Sequence, residues 1–182
     1  MSDSEYRKRQ DGTATVFDVT PAPQKKFWFI VILGSIMFLM GLSFVKSDTL
    51  LGLIGMGGGG WAAWWAWNRD LRPPSHRVPS TFRVMPDAIE SNGRTFRKDE
   101  IHRLIIKNGI TDEEVGLPGG VLVEVPTAQA AGMAHRAIVS LTAHGLEVET
   151  GGKGYVLAGG MDKTTAFGLL TDVSRIIGFK TN

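Results

Sequence analysis

The stretch GMGGGGWAAWWAWNRDLRPP, residues 55–74, decides how this chain is read. Four consecutive glycines beside four tryptophans suit a phosphate cradle, an aromatic nucleic-acid platform or part of an apolar helix. A phosphate loop needs the order GxxxxGK[ST], with lysine and hydroxyl directly after the last glycine. Here Trp61 follows it, so the phosphate reading fails. A nucleic-acid platform needs a basic excess to meet phosphates. Residues 69–182 carry 14 Lys+Arg against 13 Asp+Glu, and the whole chain of 182 residues has a formal charge of +2. Nucleic acid is therefore not an expected partner, and the apolar helix remains.

Working outward, residues 27–45 (FWFIVILGSIMFLMGLSFV) form an uncharged run, and residues 49–67 form a second of the same length after the polar break Lys46-Ser47-Asp48. A spanning helix needs roughly 17 to 25 such residues. The two runs predict a transmembrane helical hairpin, 27–45 and 49–67, because so short a break only allows the chain to turn straight back. Gly55 and Gly59 make a GxxxG pair with Gly52 one turn earlier, and small residues let helix backbones approach closely. Two readings stay open: a face that docks on a partner or a second copy, and a seam packed against Gly34, Ser35 and Gly41 of the first run. Trp61, Trp64, Trp65 and Trp67 read as an interfacial belt. Arg7, Lys8, Arg9, Lys25 and Lys26 precede the hairpin, and Arg69, Arg72, His76 and Arg77 follow it. By the positive-inside rule this predicts cytoplasmic N- and C-termini in a multi-pass protein of the bacterial inner membrane. The absence of cysteine agrees, and it excludes disulfides and thiolate chemistry.

Residues 1–26 lack an apolar period and read as a disordered cytoplasmic tail. Residues 68–79 hold Pro73, Pro74 and Pro79 and read as a stiff linker. From residue 80 onward, short strand signals alternate with turns: 81–85, 88–91, 95–97, 101–107, 121–125, 136–142, 146–149 and 155–157. Asn92-Gly93, Asn108-Gly109, His144-Gly145 and Gly151-Gly152 supply turn signals. The period then changes. Ala166, Phe167, Leu169, Leu170, Val173, Ile176 and Ile177 draw one helical stripe, with Asp162 or Thr164 as start cap, Gly178 as end cap and Phe179 folding back after it. The expected fold is a membrane-anchored α+β protein. Its residues 80–182 form a small antiparallel sheet or partly open barrel of about seven strands, closed by a C-terminal amphipathic helix.

That element order, together with the segment AIESNGRTFRKDEIHRLII, resembles the bacterial pleckstrin-homology-like membrane proteins with an N-terminal two-span hairpin. The resemblance covers residues 80–179, and the loop PTAQAAGMA, residues 126–134, departs from it. It implies a binding or assembly module and assigns no ligand and no site residue.

Nothing in the sequence nominates catalytic machinery. The histidines His76, His102, His135 and His144 show no metal-ligand spacing, and no serine sits in a GxSxG elbow. Asp112-Glu113-Glu114 reads as a solvated turn or as an ion or partner site. Gly159-Gly160 reads as a strand-to-helix turn or as an anion site at a helix start. No catalytic, cofactor or metal residue is expected, and the protein is read as a non-enzyme. Arg69, Arg72, Arg77, Arg94, Arg97, Lys98, Arg103 and Lys107 are the candidate contacts for anionic lipid or an acidic partner. The function expected is an accessory or assembly subunit of a membrane complex, its cytoplasmic domain binding a protein partner. The bilayer, a membrane protein and a second copy are the expected partners. A sensor of anionic headgroups and a component of a conjugation or secretion apparatus are the alternatives.

Overall fold

A computed structural model describes residues 4–112 and 136–179. Two compact units emerge, one of residues 1–23 with 71–182 and the other of residues 24–70. The helical unit is thus inserted into the chain of the β-rich one, between its second and third strands.

The first surprise is the N-terminus. In place of a disordered tail, β1 (Glu5–Asp11) and β2 (Ala14–Thr20) form a hairpin, with Gly12 taking a φ of +64° in the turn. The physical reason lies in β2, which buries Ala14, Val16, Phe17 and Val19 and stacks Phe17 on Phe82 at 5.3 Å. β1 is an edge strand of charged residues, and charge on an edge protects against pairing with foreign strands. Its charge is what disguised it as a tail.

β2 pairs antiparallel with β3 (Ser80–Val84), and β4 (Ala88–Ser91) and β5 (Arg94–Arg97) extend a five-stranded sheet in the order β1-β2-β3-β4-β5. Asn92 and Gly93 connect β4 to β5 with φ values of +51° and +73°, the pair of left-handed residues that a tight hairpin requires. A second sheet has the order β6-β7-β8, from Ile101–Asn108, His144–Thr150 and Lys153–Met161, with Gly151-Gly152 at its turn. His144-Gly145 lies within β7 and is not a turn. Residues 136–140 are helical, not part of a strand. Their buried positions, together with the turn that follows, are Val139, Thr142 and Ala143, a spacing of three and one that no alternating strand gives. The expected strand at 121–125 and the loop at 126–134 lie outside the described residues.

Helix α3 (Lys163–Ile177) closes the core as expected. Asp162 caps its start by accepting from the Thr165 amide at 3.0 Å. Gly178, at φ +79°, ends it, and the amides of Gly178 and Phe179 both reach the Ser174 carbonyl at 2.9 Å. Its buried face, Ala166, Leu169, Val173 and Ile177, joins Phe17, Phe82 and Ile89 of one sheet and Ile106, Leu146 and Leu157 of the other in one core.

The inserted unit is a hairpin of α1 (Trp28–Phe44) and α2 (Thr49–Asn68). Asp48 caps α2 by accepting from the amides of Leu50 and Leu51, both at 3.1 Å. The hairpin is as the sequence predicts; its role as a membrane span is not. At 1.5 Å per residue, the 17 residues of α1 cover roughly 25 Å, short of the ~30 Å hydrocarbon layer. The 20 residues of α2 are long enough, but glycine, alanine and indole dilute their apolarity. Among the described residues no helix is long and apolar enough to cross a membrane. This overturns the transmembrane hairpin, the multi-pass inner-membrane location and the orientation inferred from flanking charge.

Candidate functional site

Three features of the surface and interior bear on function: the helical hairpin, a glycine-walled histidine and the dispersed basic residues.

In the hairpin, Gly52 and Gly59 are buried, as are Gly34 and Gly41. A side chain added at Gly59 would place its Cβ 2.6 Å from the Gly34 carbonyl oxygen and from the Phe38 amide nitrogen. One added at Gly55 would meet Gly41 Cα at 3.0 Å, and one at Gly52 would meet Val45 at 2.7 Å. The GxxxG glycines are therefore spent on the seam between α1 and α2. Gly57 and Gly58 face outward with nothing within 4 Å of an added Cβ. Because the seam is made of backbone, the large side chains are left outside. Every exposed large apolar residue among those described lies on these helices except Val78, Ile138 and Leu141. Helices that are apolar all round normally sit inside something larger.

The tryptophans gather at the open end of the hairpin. Trp65 stacks with Trp61 at 6.4 Å and tilts against Phe27 at 6.1 Å, while Trp67 meets Trp28 edge-on at 5.5 Å. Arg69 lies over the Trp65 ring at 4.6 Å, and Lys26 lies 4.9 Å from the Trp67 ring centre while donating to the Trp67 carbonyl at 2.8 Å. Trp61 and Trp64 remain 64% exposed.

His76 lies in the stretch whose prolines predict a linker, yet it is 2% exposed. Pro74–His76 is a single 3-10 turn that pushes the imidazole into a pocket walled by Gly109, Gly145 and Gly159, with Gly160 against its backbone. Cβ atoms at Gly109 and Gly145 would come within 2.7 and 2.9 Å of the ring carbon Cε1. Nδ1 donates to the Ala143 carbonyl at 3.1 Å, since a carbonyl only accepts. Arg72, 4% exposed, donates to the Ala22 carbonyl at 2.6 Å, and Arg77 donates to the Arg72 carbonyl at 2.7 Å. His144 is also buried, and its Nδ1 has no hydrogen-bond partner among the described residues. Burial pushes both imidazoles below the ordinary histidine range, against the backbone hydrogen bonds that favour the charged form. The signal in the sequence was the set of glycines at 109, 145 and 159: Gly109 does lie in a turn, Gly145 and Gly159 lie in strands, and all three wall the space that the His76 ring fills.

The basic residues of the β-rich unit are divided between its two sheets. Arg94, Arg97 and Lys98 belong to the end of the first sheet, while Arg103 and Lys107 stand on β6 of the second. Arg103 pairs with Glu149 at 2.6 Å, Lys107 with Asp112 at 2.7 Å and Arg97 with Asp99 at 3.4 Å, and Arg94 lies over the Tyr155 ring at 5.1 Å. The groove beside β4 and β5 is mixed in charge, lined by Asp87, Asp99, Arg97 and Lys98 together with Phe179. Glu113, Glu114 and His135 lie outside the described residues, and His102 is exposed on β6. No three His, Asp or Glu gather as a metal-holding group among the described residues. Gly159 and Gly160 belong to β8 and the histidine pocket and do not form an open anion cradle.

No family model, no curated protein and no solved structure matches this chain.

Proposed function

We propose that this protein is a non-enzymatic accessory or assembly subunit that binds a protein partner through its helical hairpin. One observation carries the reading. The two helices spend their glycines on each other and leave Phe29, Leu39, Leu50 and Ile54 among the side chains that are more than half exposed. Each such side chain gains roughly 1.5 to 3 kcal/mol when fully buried, so the hairpin gains stability from a cover. The occupant we assign is a set of apolar helices of the partner. Gly57 and Gly58 support this choice, because their open faces admit another helix at backbone distance.

The β-rich unit is then the module that the hairpin carries. Its two antiparallel sheets and closing helix are what support a pleckstrin-homology-like reading of it. The alternative of a domain that reads anionic headgroups draws less support, because Arg97, Arg103 and Lys107 already hold carboxylates.

The test is purification of the native protein under gentle conditions, followed by determination of the mass and composition of the particle. Discrete co-purifying subunits, lost on Gly57→Leu together with Gly58→Leu, are expected. A particle holding only this chain would overturn the protein-partner reading.

A further inference from the structure

At about 100° of turn per residue, Leu50, Leu53, Ile54, Gly57, Trp61 and Trp64 fall on one stripe of α2. All six are exposed, the five large side chains by 58% to 70%. The seam glycines Gly52, Gly55 and Gly59 lie on the opposite side of the same helix, against α1. The stripe has a notch at its middle. Gly57 would have nothing within 4 Å of an added Cβ, while Leu53 and Ile54 stand before it and Trp61 after it. A second helix reaches backbone distance there and is gripped by larger side chains on either side.

One end of the stripe is charged. Gln24 ties the open ends of the hairpin together, donating to the Arg69 carbonyl at 2.7 Å and accepting from Lys26 Nζ at 2.7 Å. The same ammonium donates to the Trp67 carbonyl at 2.8 Å and lies over the Trp67 ring. The Arg69 guanidinium rests on the Trp65 ring at 4.6 Å, and Trp65 stacks in turn on Trp61 of the stripe. Both cations are thus held in place, and neither pairs with a carboxylate among the described residues.

We propose that one helix of the protein partner lies along this stripe, crosses α2 at Gly57, and carries aspartate or glutamate side chains at the end that meets Lys26 and Arg69. The inference rests on the protein-partner reading above and names the face used and the chemistry that fits it. Its physical basis is desolvation. An apolar cover that reaches Trp61 and Trp64 also takes water from the cations beside them, and a charge removed from water needs an opposite charge. Lys26 has committed two of its three donors, and the Arg69 guanidinium makes no hydrogen bond among the described residues. A carboxylate completes either one, and can meet the guanidinium at two points. Tryptophan beside arginine is also the composition in which binding energy concentrates at protein interfaces.

Carbodiimide joins an ammonium to a carboxylate only where the two touch, and its use on the gently purified particle tests this. A link from Lys26 to an aspartate or glutamate of a co-purifying subunit is expected. Photo-reactive residues in place of Leu53 and of Trp61 should join one helix of that subunit, with the linked carboxylate on the Trp61 side. Lys26→Glu together with Arg69→Glu should weaken retention of the subunit at least about ten-fold. Lys46→Glu, exposed at the other end of the hairpin, should leave retention unchanged. A subunit that co-purifies without a carboxylate link to Lys26, or whose retention ignores the two charge reversals, would overturn this inference and leave the protein-partner reading standing. A chain that purifies alone would overturn both.

Discussion

The Nδ1–H of His76 donates to the carbonyl oxygen of Ala143 at 3.1 Å, across 67 residues of sequence, and the same oxygen accepts the Gly109 amide at 2.9 Å. The ring fits because Gly109, Gly145 and Gly159 have no side chains. Gly159→Ala would drive a methyl group into the ring carbons of His76. Overpacking of this kind costs about 1 to 3 kcal/mol. Chemical unfolding should register that loss, and the His76 ring resonances should shift. Lys153→Ala, at an exposed position beside the β7–β8 turn, should do neither.

Asp172 on α3 ties down the N-terminal edge strand. It accepts from the Tyr6 hydroxyl at 3.1 Å and pairs with Lys8 at 3.0 Å. Burial works to raise its carboxyl, but the hydrogen bonds from Lys8 and Tyr6 outweigh burial and hold it below the usual aspartate range. Asp172→Ala should cost roughly 1 to 2 kcal/mol at pH 7. The stabilisation from a lowered carboxyl is present above about pH 3.9 and lost as pH falls through the folded value. Urea unfolding of wild type and variant should therefore converge as pH drops below that range. A difference of constant size would show that the carboxylate charge is not what acts.

Gly59 separates the two readings of the glycine-rich helix. Gly59→Leu forces the helices apart, since even its Cβ would lie 2.6 Å from the Gly34 carbonyl oxygen, whereas Gly57→Leu has open space. Spin labels at Ile36 and Leu53 should report a longer interhelical distance in the first variant and an unchanged one in the second. The same distance in both would show that the seam does not depend on Gly59.

Asn92-Gly93 is a turn whose residues both hold positive φ. Gly93→Val should destabilise by more than about 1 kcal/mol, because a β-branched residue is strained there whatever the surrounding space. Gly12→Ala, at φ +64° in the β1–β2 turn, should be destabilising by the same mechanism. Thermal unfolding of the two variants checks both.

Local patterns in this sequence were legible wherever short-range physics set them. The C-terminal helix, its Asp162 and Gly178 caps, the Asn92-Gly93 and Gly151-Gly152 turns and the α1–α2 hairpin all follow from period, capping chemistry or the left-handed freedom of glycine. The basic candidates were legible as charges but not as a site, since Glu149, Asp112 and Asp99 come to them only in three dimensions.

By itself the sequence determined the turns at Asn92-Gly93 and Gly151-Gly152, the paired helices and the C-terminal helix, and which residues are apolar, because these depend on neighbours within a few positions. Tertiary structure alone decided that the charged N-terminus is the edge of a sheet, since β1 gains order only through its register on β2 and the reach of Tyr6 and Lys8 to Asp172. It also decided that the helical hairpin is an insertion between β2 and β3, and that His76 is core and not linker. A cavity walled by glycines from three distant segments exists only once the sheets have closed, and no local pattern records it.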